Sequence, residues 1–578
     1  MSYKVCIEDN KYNKYHFIDN KTLKKPEIQP EINPLDNNLF NHDIIEYTKN
    51  TCTLLHSTVR SSILPGVLVL ENNIRYGAHE TKKHRYFYKC IPDDKRLPEF
   101  LVPYNLKVCF SKKIENIYII FKFDKWDLAY KKHPIGICTQ NLGVTSQLNS
   151  FYEYQLYCKS LYSSITQFNK ETMKKLREKT EEEYIQFIKN KYTIEDRTKA
   201  HRNYIKIFSI DPIGSKDFDD ALSLWDTGNS NICVVSVYIS NVSFWLDALD
   251  LWDSFSNRIS TIYLPDRKRP MLPTILSDAL CSLTEGNNRF ALTLDLYINK
   301  STGEIIKYIF KNTLINVNKN LRYGSEEESD YIEFHQLFKI VTLMNKKNKY
   351  IDKLNNSHDM VAYLMITMNY LCALTLKENK TGIFRVSKYN SQYIAPESIP
   401  GEIQKFLKMW HSFGGKYCKY KDIDNHDMLE LDAYVHATSP IRRLVDLLVS
   451  INLQKVCNLS VLGPSAQKFY EKWTSDENIN YINTTMRSIR KIQNDCTLLN
   501  LCINNTEMLD KKYTGYIFDK IIRNDKLFQY MVYIPELKMV NRITSRHDKT
   551  NYINYDFKIF IFIDEIRLKQ KILLELIQ

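Results

Sequence analysis

No C-x-x-C pair occurs among the 13 cysteines of this 578-residue chain. That excludes a zinc ribbon, and an odd, scattered set of thiols is not a disulfide framework. Reduced cysteines in a cytosolic setting are the expectation. G-x-x-x-x-G-K-[ST] and G-x-G-x-x-G are also missing, so nucleotide hydrolysis and a dinucleotide cofactor have no motif behind them. The N-terminal MSYKVCIEDNKYNKYHF lacks the apolar stretch of a signal peptide. No apolar run approaches the ~18 residues of a membrane span, and no solenoid-type repeat is visible. The sequence therefore predicts a soluble, cytoplasmic chain that needs no membrane and is able to act as a monomer.

What is present is positive charge and apolar material. Lys and Arg number 80 against 67 Asp and Glu, a formal net charge of +13, and 44% of residues are hydrophobic. Large cores are therefore possible, and a polyanion such as nucleic acid is the first partner to consider. A Lys- and Asn-rich composition produced by an AT-rich genome would give the same excess, so charge supports that reading without carrying it. At about 150 residues per domain, the length suggests roughly three or four units.

The units can be sketched from pattern. Residues 1–50 are polar, with prolines at 26, 30 and 34, and read as a loosely structured arm. From 51 to 150, the short β-type runs GVLVLE, HRYFYKCI and IENIYIIFKF suggest an OB-like barrel. Residues 151–200 contain a long stretch without Gly or Pro and with helical spacing, a connector. Residues 201–505 mix strands and helices. Residues 506–578 return to alternating runs, YTGYIF, LFQYMVYI and FKIFIFI, and suggest a second small barrel. The fold class is multidomain α+β.

The sharpest feature is IDPIGSKDFDDA (210–221), with Asp211, Asp217, Asp219 and Asp220 and only Lys216 against them. RNYIKIFSI before it and ALSLW after it read as strands, so the loop begins and ends in a core. Four carboxylates in one small volume repel unless protons or cations compensate. Mg²⁺, a hard cation that takes oxygen ligands, does this well. Two such ions about 3.5–4 Å apart would suit in-line displacement at phosphorus. An EF-hand is ruled out, because Ile213 and Ser215 occupy ligand positions. A solvated acidic turn is the bland alternative.

Two further stretches stand out. In YVHATSPIRRLVDLLV (434–449), Ser439 reads as an N-cap and Pro440 as the first helical residue, with Ile441, Leu444, Val445 and Leu448 as the buried stripe. Arg442 and Arg443 would then lie in the first turn. The dipole disfavours cations there unless an anion such as phosphate is meant to bind. In YLPDRKRPMLP (263–273), three prolines fix a stiff, extended path beside Tyr263 and a basic run, a plausible platform for stacking a base.

Taken in order, these three stretches resemble the RNase II/RNase R family, the RNB-type exoribonucleases, over roughly residues 195–505. The resemblance implies an N-terminal cold-shock barrel, a central catalytic domain (201–505) and a C-terminal S1-like barrel. It implies a processive, Mg²⁺-dependent hydrolase, with Mn²⁺ as a substitute. Such an enzyme degrades single-stranded RNA from the 3′ end to nucleoside 5′-monophosphates. By position, Asp211, Asp217, Asp219 and Asp220 would be metal ligands, and Asp219 the one most critical to the chemical step. Arg442 would hold the scissile phosphate with Arg443 beside it. Tyr263 would stack on a base, and Tyr389 is a candidate second stacking ring. The chain departs from the family pattern at Tyr238, Asn241 and Leu444, and Gln493 stands where a glutamate is often found. The alternatives are a catalytically inactive relative that binds RNA as a scaffold, and a DNA-directed hydrolase.

Overall fold

The computed structural model describes residues 1–48, 51–79, 84–106, 114–126, 133–198, 205–461 and 463–577. It divides into two compact units. One comprises residues 1–162, 264–266 and 491–578, and the other 163–263 and 267–490.

The first unit opens with an antiparallel sheet of four strands in the order Tyr15–Asp19, Ser2–Ile7, Ile44–Thr48, Thr51–His56. Residues 1–48 are thus not the loose arm expected over 1–50. Tyr3, Val5 and Ile7 alternate into the core, which is the period-2 signature of a half-buried strand. A composition dominated by Asn, Lys and Pro hides that signal. The buried Asp43 then accepts hydrogen bonds from the Phe40 N–H, the Ser57 hydroxyl and Arg60 Nη1, fixing the return of the chain.

Next comes a closed five-stranded barrel made of Ile63–Leu68, Tyr86–Pro92, Phe100–Tyr104, Ile135–Val144 and Ile117–Lys125. Its interior requires a close approach at Gly66, where a Cβ would lie 2.7 Å from Cys90 Sγ and 2.9 Å from Phe121. Helix Leu148–Cys158 closes one side, with Tyr154 stacked on Tyr118 at 4.3 Å. The expected connector is therefore divided: this helix belongs to the barrel unit, whereas Thr166–Lys175 and Glu181–Lys191 belong to the second unit.

Residues 513–576 form a five-stranded antiparallel sheet in the order Met539–Ser545, Phe528–Ile534, Tyr513–Ile522, Asn554–Asp564, Lys569–Leu576. Its outer strands approach one another through Asn541 Nδ2, which donates to the Ile572 carbonyl at 3.4 Å. Lys569 reaches Asp93 at 2.6 Å, and both side chains are largely buried. Breaking a buried pair strands its partner, so Lys569→Met should destabilise the protein by about 3–5 kcal/mol. Denaturant unfolding checks this, and a loss below about 1 kcal/mol would mean the pair behaves as a solvated one.

The second unit is built on a seven-stranded mixed sheet. Its order is Glu195–Asp196, Ile305–Asn316, Asn288–Asn299, Ile232–Ser240, Asp220–Asp226, Phe208–Asp211, Lys319–Arg322. The first and last pairings are parallel and the rest antiparallel. The strand expected over 202–210 is seen from Phe208; residues 202–204 lie outside the described residues. Arg197 is buried and forks onto Asp295 at 2.6 and 3.1 Å. Arg197 also donates to the Tyr238 hydroxyl, so this departure from the family pattern belongs to a buried polar network.

Ser357–Glu378 is, among the described residues, a helix long and apolar enough to cross a membrane, contrary to the reading of the sequence. Most of it is buried within the protein, with Met360, Leu364, Met368 and Cys372 fully enclosed, the position of a core helix.

Candidate active site

The site grows from two adjacent strands of the second unit. Asp211 ends Phe208–Asp211 and Asp220 opens Asp220–Asp226. Gly214 has φ +84°, a left-handed conformation that suits glycine in the turn between them. The rest of the loop is anchored by its one aromatic residue. Phe218 is 5% exposed and packs among Ala221, Tyr238, Leu283 and Val317. Its N–H donates to Ser282 Oγ at 2.9 Å and its carbonyl accepts from the Leu283 N–H at 3.0 Å. The Arg322 guanidinium lies 5.0 Å from its ring. Pinning Phe218 on both sides of its backbone fixes the aspartates that flank it. Ser282 and Leu283 lie in the segment 279–283, ALCSL, which thereby supports the acidic loop.

Each aspartate has a distinct environment. Asp219 is 2% exposed. It accepts from the Ile441 N–H and from Arg442 Nε, both at 2.9 Å. Burial pushes its carboxyl up to about 7, against the pull of Arg442 and the Ile441 N–H. Burial also raises Asp211, to about 6, while Arg322 and Arg442 oppose it and Asp217 adds to it. Asp220 is pushed well above the ordinary carboxylate range by burial, then by Asp211 and Asp219. Asp217 accepts from Lys268 Nζ at 2.9 Å and from the Tyr263 hydroxyl at 3.0 Å.

The arginine is placed differently from the sequence expectation. The helix does not begin at Pro440; it runs Leu444–Val456 with Arg443 at its N-cap. Arg443 is extended at φ −137° and forms an isolated bridge with Ser260. The Arg442 carbonyl accepts from the Thr261 N–H, and the Leu444 N–H donates to the Ile259 carbonyl. The segment before Leu444 does turn, since the Arg442 and Arg443 N–H groups both donate to the Ser439 carbonyl, at 3.3 and 2.9 Å, but the bonds to the 259–261 segment leave Arg443 extended and separate that turn from the helix. Arg442 is therefore outside the first turn, and the dipole penalty does not apply to it. The carboxylates of Asp219 and Asp220 outweigh burial and hold its guanidinium above the ordinary range. Nη2 donates to Ser439 Oγ at 3.1 Å, yet the side chain remains 46% exposed. One face is thus committed to Asp219 and the other is open to a ligand.

Asp446, absent from the sequence reading, organises this turn. It is buried and accepts from the Ser439 N–H and Arg443 Nη2, both at 2.8 Å. Its place three residues after the N-cap is the usual position for a carboxylate that serves a helix start. Arg443 is thereby committed to Asp446. Tyr263 lies beside Asp217 and is 38% exposed. Instead of running straight, its segment folds back as a hairpin in which Tyr263 pairs with Lys268. Tyr389 is not drawn into this group by any hydrogen bond of its own; its backbone N–H donates to Asp427. Leu444 is buried, Asn241 is buried against Asn312 and Gln454, and Gln493 lies in helix Asp476–Asn504.

The donor set has the chemistry for a hard divalent cation: four carboxylates, with Asp211 Oδ2 buried and without a hydrogen-bond partner. The arrangement is not preformed. Among the described residues no three His, Cys, Asp or Glu side chains stand as a ready ligand set. Lys268 holds Asp217 and Arg442 holds Asp219.

Comparison with known proteins finds similarity over two segments of the chain. Residues 197–328 match the RNB domain, and residues 87–153 match the Dis3-like cold-shock domain 2. The RNB match contains the four aspartates and Tyr263; Arg442 lies beyond it. Ribonuclease R of Ureaplasma parvum is 35% identical over 160 residues, 27% of this chain and 22% of that protein. The chain spans less than half the length of the curated relatives it matches: 22%, 48% and 45%. The fold resembles Mycoplasma genitalium RNase R, solved in complex with ribose methylated single-stranded RNA. The TM-score is 0.64 at 15% identity, covering 100% of both chains. It also resembles yeast Ssd1, a pseudonuclease, with a TM-score of 0.57 at 13% identity over 96% of this chain and 80% of that one. The chain thus carries a match to the RNB domain and one to a cold-shock domain, on a fold that resembles that of RNase R.

Proposed function

We propose that the protein is a metal-dependent 3′-5′ exoribonuclease that hydrolyses single-stranded RNA to nucleoside 5′-monophosphates. The observation that carries this is the intact set of four aspartates on one pinned loop, with a half-exposed guanidinium on the most buried of them. Support also comes from relatives named Ribonuclease R and from the RNA held by the M. genitalium protein.

Asp211 and Asp220 are the residues that would hold Mg²⁺ or Mn²⁺, joined by Asp217 and Asp219. The cation supplies neutralisation of phosphate charge and a more acidic water. The protein's own groups do the rest. Arg442 turns its open face to a non-bridging phosphate oxygen, where a fork of N–H donors follows the charge as it builds. Tyr263 offers its exposed ring to a base. The net positive charge of +13 favours the backbone of any RNA. Free thiols at all twelve described cysteines suit a reducing compartment, in keeping with a cytoplasmic protein.

A second reading is an RNA-binding relative without catalysis. It is favoured by one observation, the engagement of Asp217 and Asp219 by cationic side chains. A 5′-labelled RNA with a single-stranded 3′ tail separates the two. The exonuclease shortens it from the 3′ end in Mg²⁺, stops in EDTA and releases mononucleotides. Binding without shortening would establish the second reading.

The raised carboxyls give a pH signature that needs no turnover. Asp211 at about 6 and Asp219 at about 7 hold protons near neutrality, and burial raises Asp220 well above the ordinary carboxylate range as well. A cation requires them ionised, so binding expels protons. At pH 6, Mg²⁺ uptake should release about one proton or more per protein, and affinity should rise as pH increases to about 7. Calorimetry in buffers of different ionisation enthalpy measures the release. Heats that do not depend on buffer would place the metal elsewhere.

A further inference from the structure

Lys268 is the residue of this site that neither the acidic motif nor the arginine segment accounts for. It sits at the end of the short hairpin Ile262–Tyr263/Lys268–Arg269, directly opposite Tyr263. Its ammonium bridges two carboxylates, Asp217 Oδ1 and Asp278 Oδ1, each at 2.9 Å. The side chain is only 22% exposed, and Asp217 only 11%. Both hairpin partners converge on the same carboxylate, because the Tyr263 hydroxyl donates to the other oxygen of Asp217. Asp217 thus has both oxygens occupied from one hairpin. Asp278 holds the ammonium from the far side, and the Ser277 hydroxyl in turn donates to Asp278.

A carboxylate in this position has one charge to offer. While it neutralises an ammonium it is a poor ligand for a second cation, since two cations on one carboxylate repel at short range. We propose that Lys268 is a tethered counter-ion of the metal-free site. It takes up the charge of Asp217 and must be displaced toward Asp278 before a divalent cation gains Asp217 as a ligand. Asp278 gives the displaced ammonium a second partner, so the exchange does not strand a buried charge. Lys268 is a positioning residue that weakens metal binding and keeps the acidic loop ordered without metal. This rests on the metal reading of the four aspartates.

The test is Mn²⁺ binding to the full chain, followed by electron paramagnetic resonance of free Mn²⁺, with thermal melts in EDTA and in Mn²⁺. Lys268→Met keeps the aliphatic length and removes the charge, and Lys268→Arg keeps the charge. For the methionine variant we expect Mn²⁺ affinity to rise about tenfold or more, the gain from removing a cation at short range. Its melting temperature in EDTA should fall, and its shift on adding Mn²⁺ should exceed that of the wild type. The arginine variant should keep wild-type affinity. Equal or weaker Mn²⁺ binding by a folded methionine variant would overturn the role of Lys268 and leave the metal reading standing. Absence of Mn²⁺ binding in both wild type and variant would overturn both. A purely structural lysine would lower the melting temperature in both media and would not raise affinity.

Discussion

Asp219→Asn should lower the rate of RNA shortening by about 10²–10³-fold or more, while RNA affinity stays within a few-fold of wild type. Asp219 is the most enclosed of the four aspartates, and it takes both the Ile441 N–H and Arg442 Nε. An asparagine keeps the volume and can still accept from Ile441. Its amide N–H₂ would then face Arg442 Nε donor to donor, and its charge is gone. The guanidinium loses the group that orients it and, on the proposed function, the cation loses a ligand, so the chemical step should suffer twice. Phosphate contacts elsewhere on a chain of net charge +13 are untouched. Single-turnover decay of 5′-labelled RNA in Mg²⁺, with the dissociation constant measured in Ca²⁺, separates the two effects. Near-normal decay would remove Asp219 from the mechanism.

The same substitution has a stability counterpart in the absence of metal. A carboxyl raised from 3.8 to about 7 in the folded state favours its protonated form there. The folded protein is therefore favoured at low pH and loses this contribution as pH climbs from about 4 to about 7. Asparagine imitates the protonated form at every pH. Melting temperatures of wild type relative to variant should thus decline across that window in EDTA.

Arg442→Ala should be nearly inactive, down about 10²–10³-fold, and Arg442→Lys should lose far more turnover than affinity. Lysine can reach Asp219 with one ammonium. It cannot at once donate to Asp219 and Ser439, as Nε and Nη2 do, and present further N–H groups to a phosphate. The effect on folding reverses what a first-turn arginine would give. Outside the helix and paired with a buried carboxylate, Arg442 stabilises the fold. Its removal should cost about 1–3 kcal/mol, the penalty of a buried acceptor that has lost a partner. Single-turnover decay and a melt without RNA read both. A lysine variant that shortens RNA at the wild-type rate would make Arg442 a surface charge.

Much of this protein is legible along the chain. Tyr3, Val5 and Ile7 alternate into the core, because a strand displays its pattern within six residues. The acidic motif is equally local: flanking strands and one loop bring Asp211 and Asp220 side by side. The anchor, Phe218, was not read from the sequence, although an aromatic residue set among aspartates is a signal of burial. Where composition was read in place of pattern, as in residues 1–50, the reading failed.

Other features were decided by tertiary structure alone. Ser439-Pro440 reads locally as a helix start, and a turn does close there on the Ser439 carbonyl, yet backbone bonds to residues 259–261 hold Arg443 extended and delay the helix to Leu444. Arg442 finds Asp219 at a separation of 223 residues, and Lys268 finds Asp217 at 51. The sequence alone determined which charges the site contains, because residue type and spacing are local. Which charge faces which was left to the fold, because an ion pair is set by distance in space, and only the packed sheet, hairpin and turn bring these groups within 3 Å.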